Sequence, residues 1–184
     1  MLDEESTARG LQKQDPEVWA EVYEKYFSRV YRYIAVRVGN KTEAEDLAGK
    51  VFLKALESIS SFKWRGVPVS AWLFRIAHNQ VIDYRRTSKA KFQSPLDESL
   101  VSSDADPVLE AEKGLDIHQV VQAVGQLTRA QRDVIELRFA GGLSTAEVAK
   151  VLGKSQGAVK VLQHNALVAL RKRLSSEMNH EEEL

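Results

Sequence analysis

Apolar residues recur at every fourth position from residue 18 to residue 38: Val18, Val22, Tyr26, Val30, Ile34 and Val38. Trp19, Tyr23, Phe27 and Tyr31 lie beside them, so the pattern predicts one long helix with a wide apolar stripe. Gly39 and Asn40 predict its end. A second helix follows with near-perfect helical period at Ala44, Leu47, Ala48, Val51, Phe52, Ala55, Leu56 and Ile59. Thr42 with Glu45 predicts a capping box, and Glu43, Glu45 and Asp46 stand where the helix dipole favours acids. Gly66 and Pro68 mark a loop, after which a third helix is predicted from about Ser70 to Arg86. On its helical wheel Leu73, Ala77, Val81 and Tyr84 form the core stripe, while Trp72, Arg75, Asn79, Asp83 and Arg86 share a different face.

The stretch "SPLDESLVSSDADP" has no periodicity and is rich in Ser, Asp and Pro, which predicts a flexible linker. Asp106 before Pro107 predicts an N-cap and a first-turn proline, restarting helix that continues to about residue 175. Thr128 with Gln131 predicts a second capping box, and Gly141 and Gly142 the end of that helix. No segment alternates as a strand would. The chain is predicted to be all-α, with two small helical domains joined by a flexible acidic linker. The boundaries fall at 12–90 for the first domain, 91–106 for the linker and 107–175 for the second, with an acidic, frayed tail at 176–184.

Residues 143–174, "LSTAEVAKVLGKSQGAVKVLQHNALVALRKRL", carry the most specific pattern. Ser144 with Glu147 caps a short helix, Gly153 lies in the turn, and Ser155 caps a longer second helix. Ala149, Gly153 and Val159 stand at helix-turn-helix spacing: a small residue for close crossing, a glycine free to take positive φ, and a packing residue on the second helix. Val159, Leu162, Ala166 and Leu170 are predicted inward. Gln156, Lys160, Gln163 and His164 are predicted outward, where amide and cationic side chains near a helix N-terminus can read major-groove edges and phosphates. The second domain is therefore a DNA-binding helix-turn-helix.

Composition narrows the function classes. The chain of 184 residues is 43% hydrophobic and has no cysteine. A buried core is possible, while disulfides, zinc–thiolate sites and thiol catalysis are excluded. The N-terminal stretch "MLDEESTARGLQKQ" is too polar for a signal peptide, and no apolar run approaches a membrane span. A soluble cytoplasmic protein is expected. Net charge is zero, but it is segregated. Residues 63–91 carry Lys63, Arg65, Arg75, Arg85, Arg86, Lys89 and Lys91 against Asp83, net +6. Residues 144–174 carry Lys150, Lys154, Lys160, Arg171, Lys172 and Arg173 against Glu147, net +5. Between them, residues 92–117 hold seven acids and only Lys113, net −6. Two basic blocks around an acidic one are a domain-level pattern, and each block can meet phosphates.

The stretch "FKWRGVPVSAWLFRIAHNQVIDYRR", residues 62–86, holds five of the fourteen aromatic residues together with clustered cations. Cations for phosphates, an amide for a base edge and an indole for stacking are what holds single-stranded nucleic acid, each stacked base being worth roughly 1–3 kcal/mol. Trp72 and Phe62 have the alternative of simply packing in the core.

Taken in order, these segments resemble a known family. "EVYEKYFSRVYRYIAVRVGNKTEAEDLAGKVFLKALESISSFK", "AWLFRIAHNQVIDYRR" and "LTRAQRDVIELRFAGGLSTAEVAKVLGKSQGAVK" are similar to regions 2 and 4 of the extracytoplasmic-function (ECF) sigma factors of bacterial RNA polymerase. The resemblance spans roughly residues 16–88 and 107–174. It implies that the helix around "TEAEDLAGKVFLKAL" docks on the polymerase through Glu45, Asp46, Leu47 and Lys50. Lys50 stands where the family usually has an acid, and Leu47, Val51 and Phe52 have the alternative of being core. It implies that Lys63, Trp64, Arg65, Trp72, Arg75, Asn79 and Arg86 capture unpaired bases of the minus-ten element, where a pocket for the extruded base offsets unstacking. Ser155, Gln156, Lys160, Gln163 and His164 would read the minus-thirty-five duplex. Many members carry Arg on the later turns of that helix; here Leu162, Asn165 and Leu167 stand instead, and no contact is carried over to them. The implied partners are core RNA polymerase and promoter DNA, with an anti-sigma factor as an open further partner and no membrane insertion.

One rival reading is a helix-turn-helix regulator that binds duplex operator DNA independently of polymerase. It leaves residues 62–86 unexplained and would ordinarily bring a sensor domain. An enzyme is the other rival. The four histidines are scattered, no H-E-x-x-H or phosphate loop occurs, and no catalytic residue, metal site or cofactor is expected.

Overall fold

Six of the eight described helices begin where a short polar side chain takes up free backbone N–H groups, and the order of these starts lays out the fold. The computed structural model describes residues 3–62, 66–88 and 117–181. Helix α1 spans Glu4–Gln12, capped by Asp3, whose carboxylate accepts from the Ser6 amide at 2.8 Å. Helix α2, Pro16–Val38, starts at Asp15 with Pro16 in its first turn and ends at Gly39, whose φ of 71° is left-handed. Helix α3, Lys41–Ser58, runs into a short 3-10 turn at Ile59–Ser61, and α4 spans Val69–Ser88. Beyond it come α5, Ile117–Gly125, and α6, Arg129–Ile135, which continues as a π-turn over Glu136–Ala140. The last pair is α7, Thr145–Leu152, and α8, Gln156–Glu181. Among the described residues every regular element is helical.

Helices α2, α3 and α4 face one another through Val30, Tyr33 and Ile34, Ala48 and Val51, and Leu73, Phe74 and Ala77, all fully buried. Burying side chains of this size stabilises by roughly 1.5–3 kcal/mol each. Helix α1 closes one end of this bundle by placing Ala8 and Leu11 in the same core. It is tied down by two polar contacts, from Gln12 to the Phe62 carbonyl at 2.5 Å and from the Val69 amide to Glu4 at 2.9 Å. The second contact satisfies an open N–H at the start of α4.

The helix-turn-helix forms as its spacing predicts. Both capping boxes are present, at Thr128 with Gln131 and at Ser144 with Glu147. Gly153 has φ of 62°, Ala149 and Val159 are buried between α7 and α8, and the Ser155 hydroxyl accepts from the Ala158 amide at 3.1 Å.

Four expectations change. The cap of α3 is Asn40, not Thr42: its side chain accepts from the Glu43 amide at 3.0 Å, starting the helix earlier. Leu56 lies at the edge of the α3 stripe and is exposed. Helix α1 had no counterpart in the periodic pattern. Helix α8 continues through Glu181, where a frayed tail was expected from residue 176. The acidic linker and the Asp106–Pro107 helix start lie outside the described residues, as do Lys63, Trp64 and Arg65.

The two halves do not stand apart. Val134, Leu137, Leu143, Val148 and Val151 belong to the same buried cluster as the α2–α4 core. Helix α7 and the π-turn pack on α4 and α2, respectively. The contact is close: a Cβ at Gly141 would sit 2.7 Å from both the Phe74 ring and the Leu137 carbonyl oxygen.

Candidate nucleic-acid and protein-docking surfaces

Helix α4 is two-faced because its period places apolar residues three and four apart. Leu73, Ala77 and Val81 are fully or almost fully buried, while Arg75, Asn79 and Arg86 are exposed on another side. Asp83 lies 3.4 Å from Arg86, a pair exposed enough to contribute little. Trp72 is half-buried and packs on Phe62 with ring centroids 4.7 Å apart, so its indole belongs largely to the core. Arg75 points at the second half of the molecule and donates to the Lys150 carbonyl at 2.8 Å.

On α8, Gln156, Lys160 and His164 lie four residues apart on one exposed face, with Ser155 at its N-terminal edge. Gln163 is half-buried and accepts from Arg138 at 3.1 Å, which holds its amide to one side of that face. Val159 and Ala166 are fully buried and Leu162 and Leu170 partly so.

On α3, Glu45, Asp46 and Lys50 are exposed and Leu47 is core at 6% exposure. Lys50 pairs with Asp46 at 2.6 Å, so the acidic edge that Glu45 and Asp46 form is locally neutralised. Leu53 and Leu56 carry the exposed surface onward at 56% and 43% exposure. The sequence pattern counted Leu56 in the apolar stripe, and Leu53, off that stripe, was not singled out. Exposed leucines beside a charged edge suit a partly apolar protein partner.

Charged residues also meet where the halves join, which the sequence pattern did not indicate. The Arg37 side chain on α2 is only 3% exposed and pairs with both Asp133 on α6 and Glu136 in the π-turn. Arg37 also donates to the Tyr33 hydroxyl at 2.8 Å, and that hydroxyl lies 2.8 Å from Nδ1 of His78. Around this centre, Arg29 donates to the carbonyls of Gly141 at 3.0 Å and Gly142 at 2.8 Å, and Ser70 donates to Glu147. Burial works against the Arg37 charge, but Tyr33, Glu136 and Asp133 together hold it firmly protonated. Burial also pushes the Glu136 carboxyl up, with Arg37 opposing.

His78 is pushed below its ordinary value of 6.5, first by burial, then by Arg37 and Arg129, with Asp133 opposing. The network explains the direction. Arg37 donates to the Tyr33 hydroxyl, which leaves that hydroxyl able to donate to Nδ1 of a neutral ring, whereas protonation would set a second cation beside Arg37. A histidine with a lowered folded-state pKa binds its proton more readily when released, so it lends full stability only above about 6.5 and loses it as pH falls. Glu147 adds to this at lower pH. Burial raises it, but hydrogen bonds from Ser144 and Ser70 leave it below 4.5, and their contribution fades as acid titrates it. Thermal melts should therefore fall between pH 7.5 and 5.5, by no more than about 1.4 kcal/mol per pH unit for one proton. His78→Asn should flatten that slope; an unchanged slope would show that His78 is not the group responsible.

Comparison with known proteins bears on the whole chain. Residues 22–91 match the family model Sigma-70 region 2, and residues 123–172 match Sigma-70, region 4. SigL of Mycobacterium tuberculosis, an ECF RNA polymerase sigma factor, is 32% identical over 153 residues, covering 82% of this chain and 85% of that protein. This chain belongs to the ECF sigma factors. SigW of Bacillus subtilis is 31% identical and covers 89% of this sigma factor and 92% of its own length. BldN of Streptomyces coelicolor is 38% identical over 165 residues; the match takes in 87% of this chain and 61% of BldN. The fold of CnrH, solved with the cytosolic domain of CnrY, superposes with a TM-score of 0.69 at 21% identity, covering 94% of this chain and 97% of that one. The sigma factor RpoE of Bartonella quintana, solved with the anti-sigma factor NepR, gives 0.61 at 24% identity, covering 85% and 96%. Both likenesses speak for the fold. No helix among the described residues is long and apolar enough to cross a membrane.

Proposed function

We propose that this sigma factor binds core RNA polymerase and directs promoter-specific initiation, opening DNA with its first half and positioning it with its second. The observation that carries the reading is the pairing of two different nucleic-acid faces in one chain. Helix α4 offers exposed Arg75, Asn79 and Arg86, and α8 offers Gln156, Lys160 and His164 beside Ser155. A duplex regulator needs only the second face. The first suits an unpaired strand, with cations for phosphate and an amide for a base edge. Lys63, Trp64 and Arg65 join it on sequence grounds, and Trp72 contributes from behind.

The division of labour follows the sequence boundaries: 12–90 for polymerase docking and the minus-ten element, 107–175 for the minus-thirty-five element, with 91–106 between. Polymerase docks along α3 through Glu45, Asp46 and Lys50, extended by exposed Leu53 and Leu56. The factor works in the cytoplasm and carries no catalytic residue, the chemistry being polymerase's. An anti-sigma factor is a natural antagonist, as RpoE is bound by NepR.

Run-off transcription with purified core polymerase and a promoter library tests this reading. Defined transcripts that depend on the factor are expected. Tight binding to a duplex operator without polymerase, and no stimulation of run-off, would establish the regulator reading instead.

A further inference from the structure

Two cavities lie beside Arg37 and share one wall of arginine. The first, about 530 Å3, is enclosed largely by Val36, Val120, Val124, Ile135, Leu167 and Leu170. These aliphatic side chains offer a ligand no hydrogen-bonding group. Arg37, Arg85 and Arg132 line this chamber and also a second cavity of about 410 Å3, to which Arg86 and Arg129 are added. Phe139 and Leu167 line the first chamber while standing 62% and 43% exposed, so solvent reaches it at an apolar edge. Each volume lies in the range that houses one small ligand.

Charge around the shared wall is out of balance. Five arginines face two carboxylates, Asp133 and Glu136, and Arg37 is bonded to both. Arg86 has only the exposed Asp83 at 3.4 Å. Among the described residues Arg85, Arg129 and Arg132 pair with no carboxylate. Arg85 donates to the Arg37 carbonyl at 2.9 Å, and Arg132 to the carbonyls of Gly125 and Leu127. Carbonyls take up donors but leave the cations without a counter-charge. Nε of Arg132 is buried and bonded to nothing among the described residues, so this guanidinium stays under-bonded. Burial holds Arg85 below its ordinary value; Arg37 and Arg132 add to this and Glu136 opposes. Like charges from α4 and α6 are thus gathered beside an apolar chamber, at a cost that an anion among them would offset.

We propose that the joined cavities bind a single-chain amphiphilic anion, its aliphatic chain in the first chamber and its carboxylate or phosphate head on Arg85, Arg129 and Arg132. A planar guanidinium matches either head through paired N–H donors. The chain would replace water against Val36, Val120 and Ile135, and the head would supply the counter-charge that the three arginines lack. A nucleotide fits less well, because the aliphatic walls give a base edge no partner and Glu136 is already held by Arg37. Nucleic-acid phosphate is the nearer rival, since Arg86 also stands on the exposed face of α4. It would use the arginines and leave the chamber empty, so dependence on the chain separates the two. The site does not depend on the transcription reading above, because binding is measured on the protein alone.

Calorimetric titration of the full chain with octanoate, decanoate and dodecanoate, each below its micelle concentration, tests the site. Each added methylene should tighten binding about fourfold until the chamber is full. Decanol, with the same chain and no charge, should bind about tenfold more weakly than decanoate. Decyl phosphate should compete with decanoate. Leu167→Gln, at an exposed position in the chamber wall, should flatten the dependence on chain length. Arg129→Gln, exposed and free of printed bonds to the described residues, should weaken decanoate about tenfold and leave decanol unchanged. Melting temperature should rise with decanoate in the parent and less in either variant. Affinity independent of chain length, or pyrophosphate binding as tightly as dodecanoate, overturns the proposal and leaves a surface for nucleic-acid phosphate. Equal affinity for decanol and decanoate also overturns it, leaving an apolar cavity without a head site. Capture by phosphatidylglycerol vesicles without affinity for the single-chain anions would do the same and assign the apolar edge to a lipid surface.

Discussion

Arg37→Ala should lower the unfolding free energy by about 3–5 kcal/mol, the range for removing one member of a buried ion pair. Two opposing terms set the size. Coulomb attraction inside the protein is lost, and Asp133 and Glu136 are left facing buried surroundings with no guanidinium to neutralise them. The second term dominates, because an unpaired buried carboxylate must either take up a proton or draw in water. For a chain of this length a loss of this size corresponds to roughly 6–20 °C in melting temperature. Arg9, which pairs with Glu5 on the surface of α1 with side chains 70% and 52% exposed, is the control. Arg9→Ala should change stability by less than about 1 kcal/mol. The loss at Arg37 should also be uneven. Denaturation followed by separate probes in α3 and α8 should split into two transitions, since what fails first is the contact between halves. A single coincident transition within about 1 kcal/mol of the parent would show that the cluster contributes only geometry.

How much of this was legible in the sequence depends on the range of the interaction involved. Helices α2, α3 and α4 and the helix-turn-helix were readable because period, caps and turn glycines act within a few residues. Ser144 with Glu147 and Thr128 with Gln131 formed the boxes their spacing implied. Thr42 failed because Asn40, two residues earlier, competes for the same free amides and reaches the Glu43 N–H. Helix α1 was missed since only Ala8 and Leu11 of its nine residues are buried, too few to make a periodic stripe. Its place is fixed by Val18, Phe62 and Val69, all supplied from elsewhere in the chain. The buried cluster around Arg37 was invisible for the same reason in stronger form. Arg37 meets partners 96 and 99 residues away, and a charged residue in a helix reads as solvated until its partner is known. Leu47 and Trp72 each had two readings, and packing placed both mainly with the core. The outward face of α8 was easier, because the inward positions Val159 and Ala166 fix the rotation of the whole helix.

Asn79→Ala and Lys160→Ala should both lower transcription from a duplex promoter, and a premelted template should separate them. Asn79 stands exposed on α4, opposite the buried Ala77 and Val81, where its amide can pair with a base edge only after that base has left the stack. Losing such a contact is worth about 1–3 kcal/mol, or roughly 5- to 150-fold. The loss falls on opening, because the contact is what offsets unstacking. An artificial bubble supplies the open strand in advance and should restore part of the activity. Lys160 stands on α8 between Gln156 and His164 and meets an intact duplex. Its loss should weaken promoter engagement and lower the salt dependence of binding by about one phosphate contact. A bubble placed at the start site leaves the upstream duplex unchanged, so it offers Lys160→Ala no restoration of that contact. On the premelted template the Asn79 variant should therefore recover relative to its duplex value, while the Lys160 variant keeps its own binding defect and altered salt slope. If Lys160→Ala is the variant that the bubble rescues, the roles given to α4 and α8 are reversed.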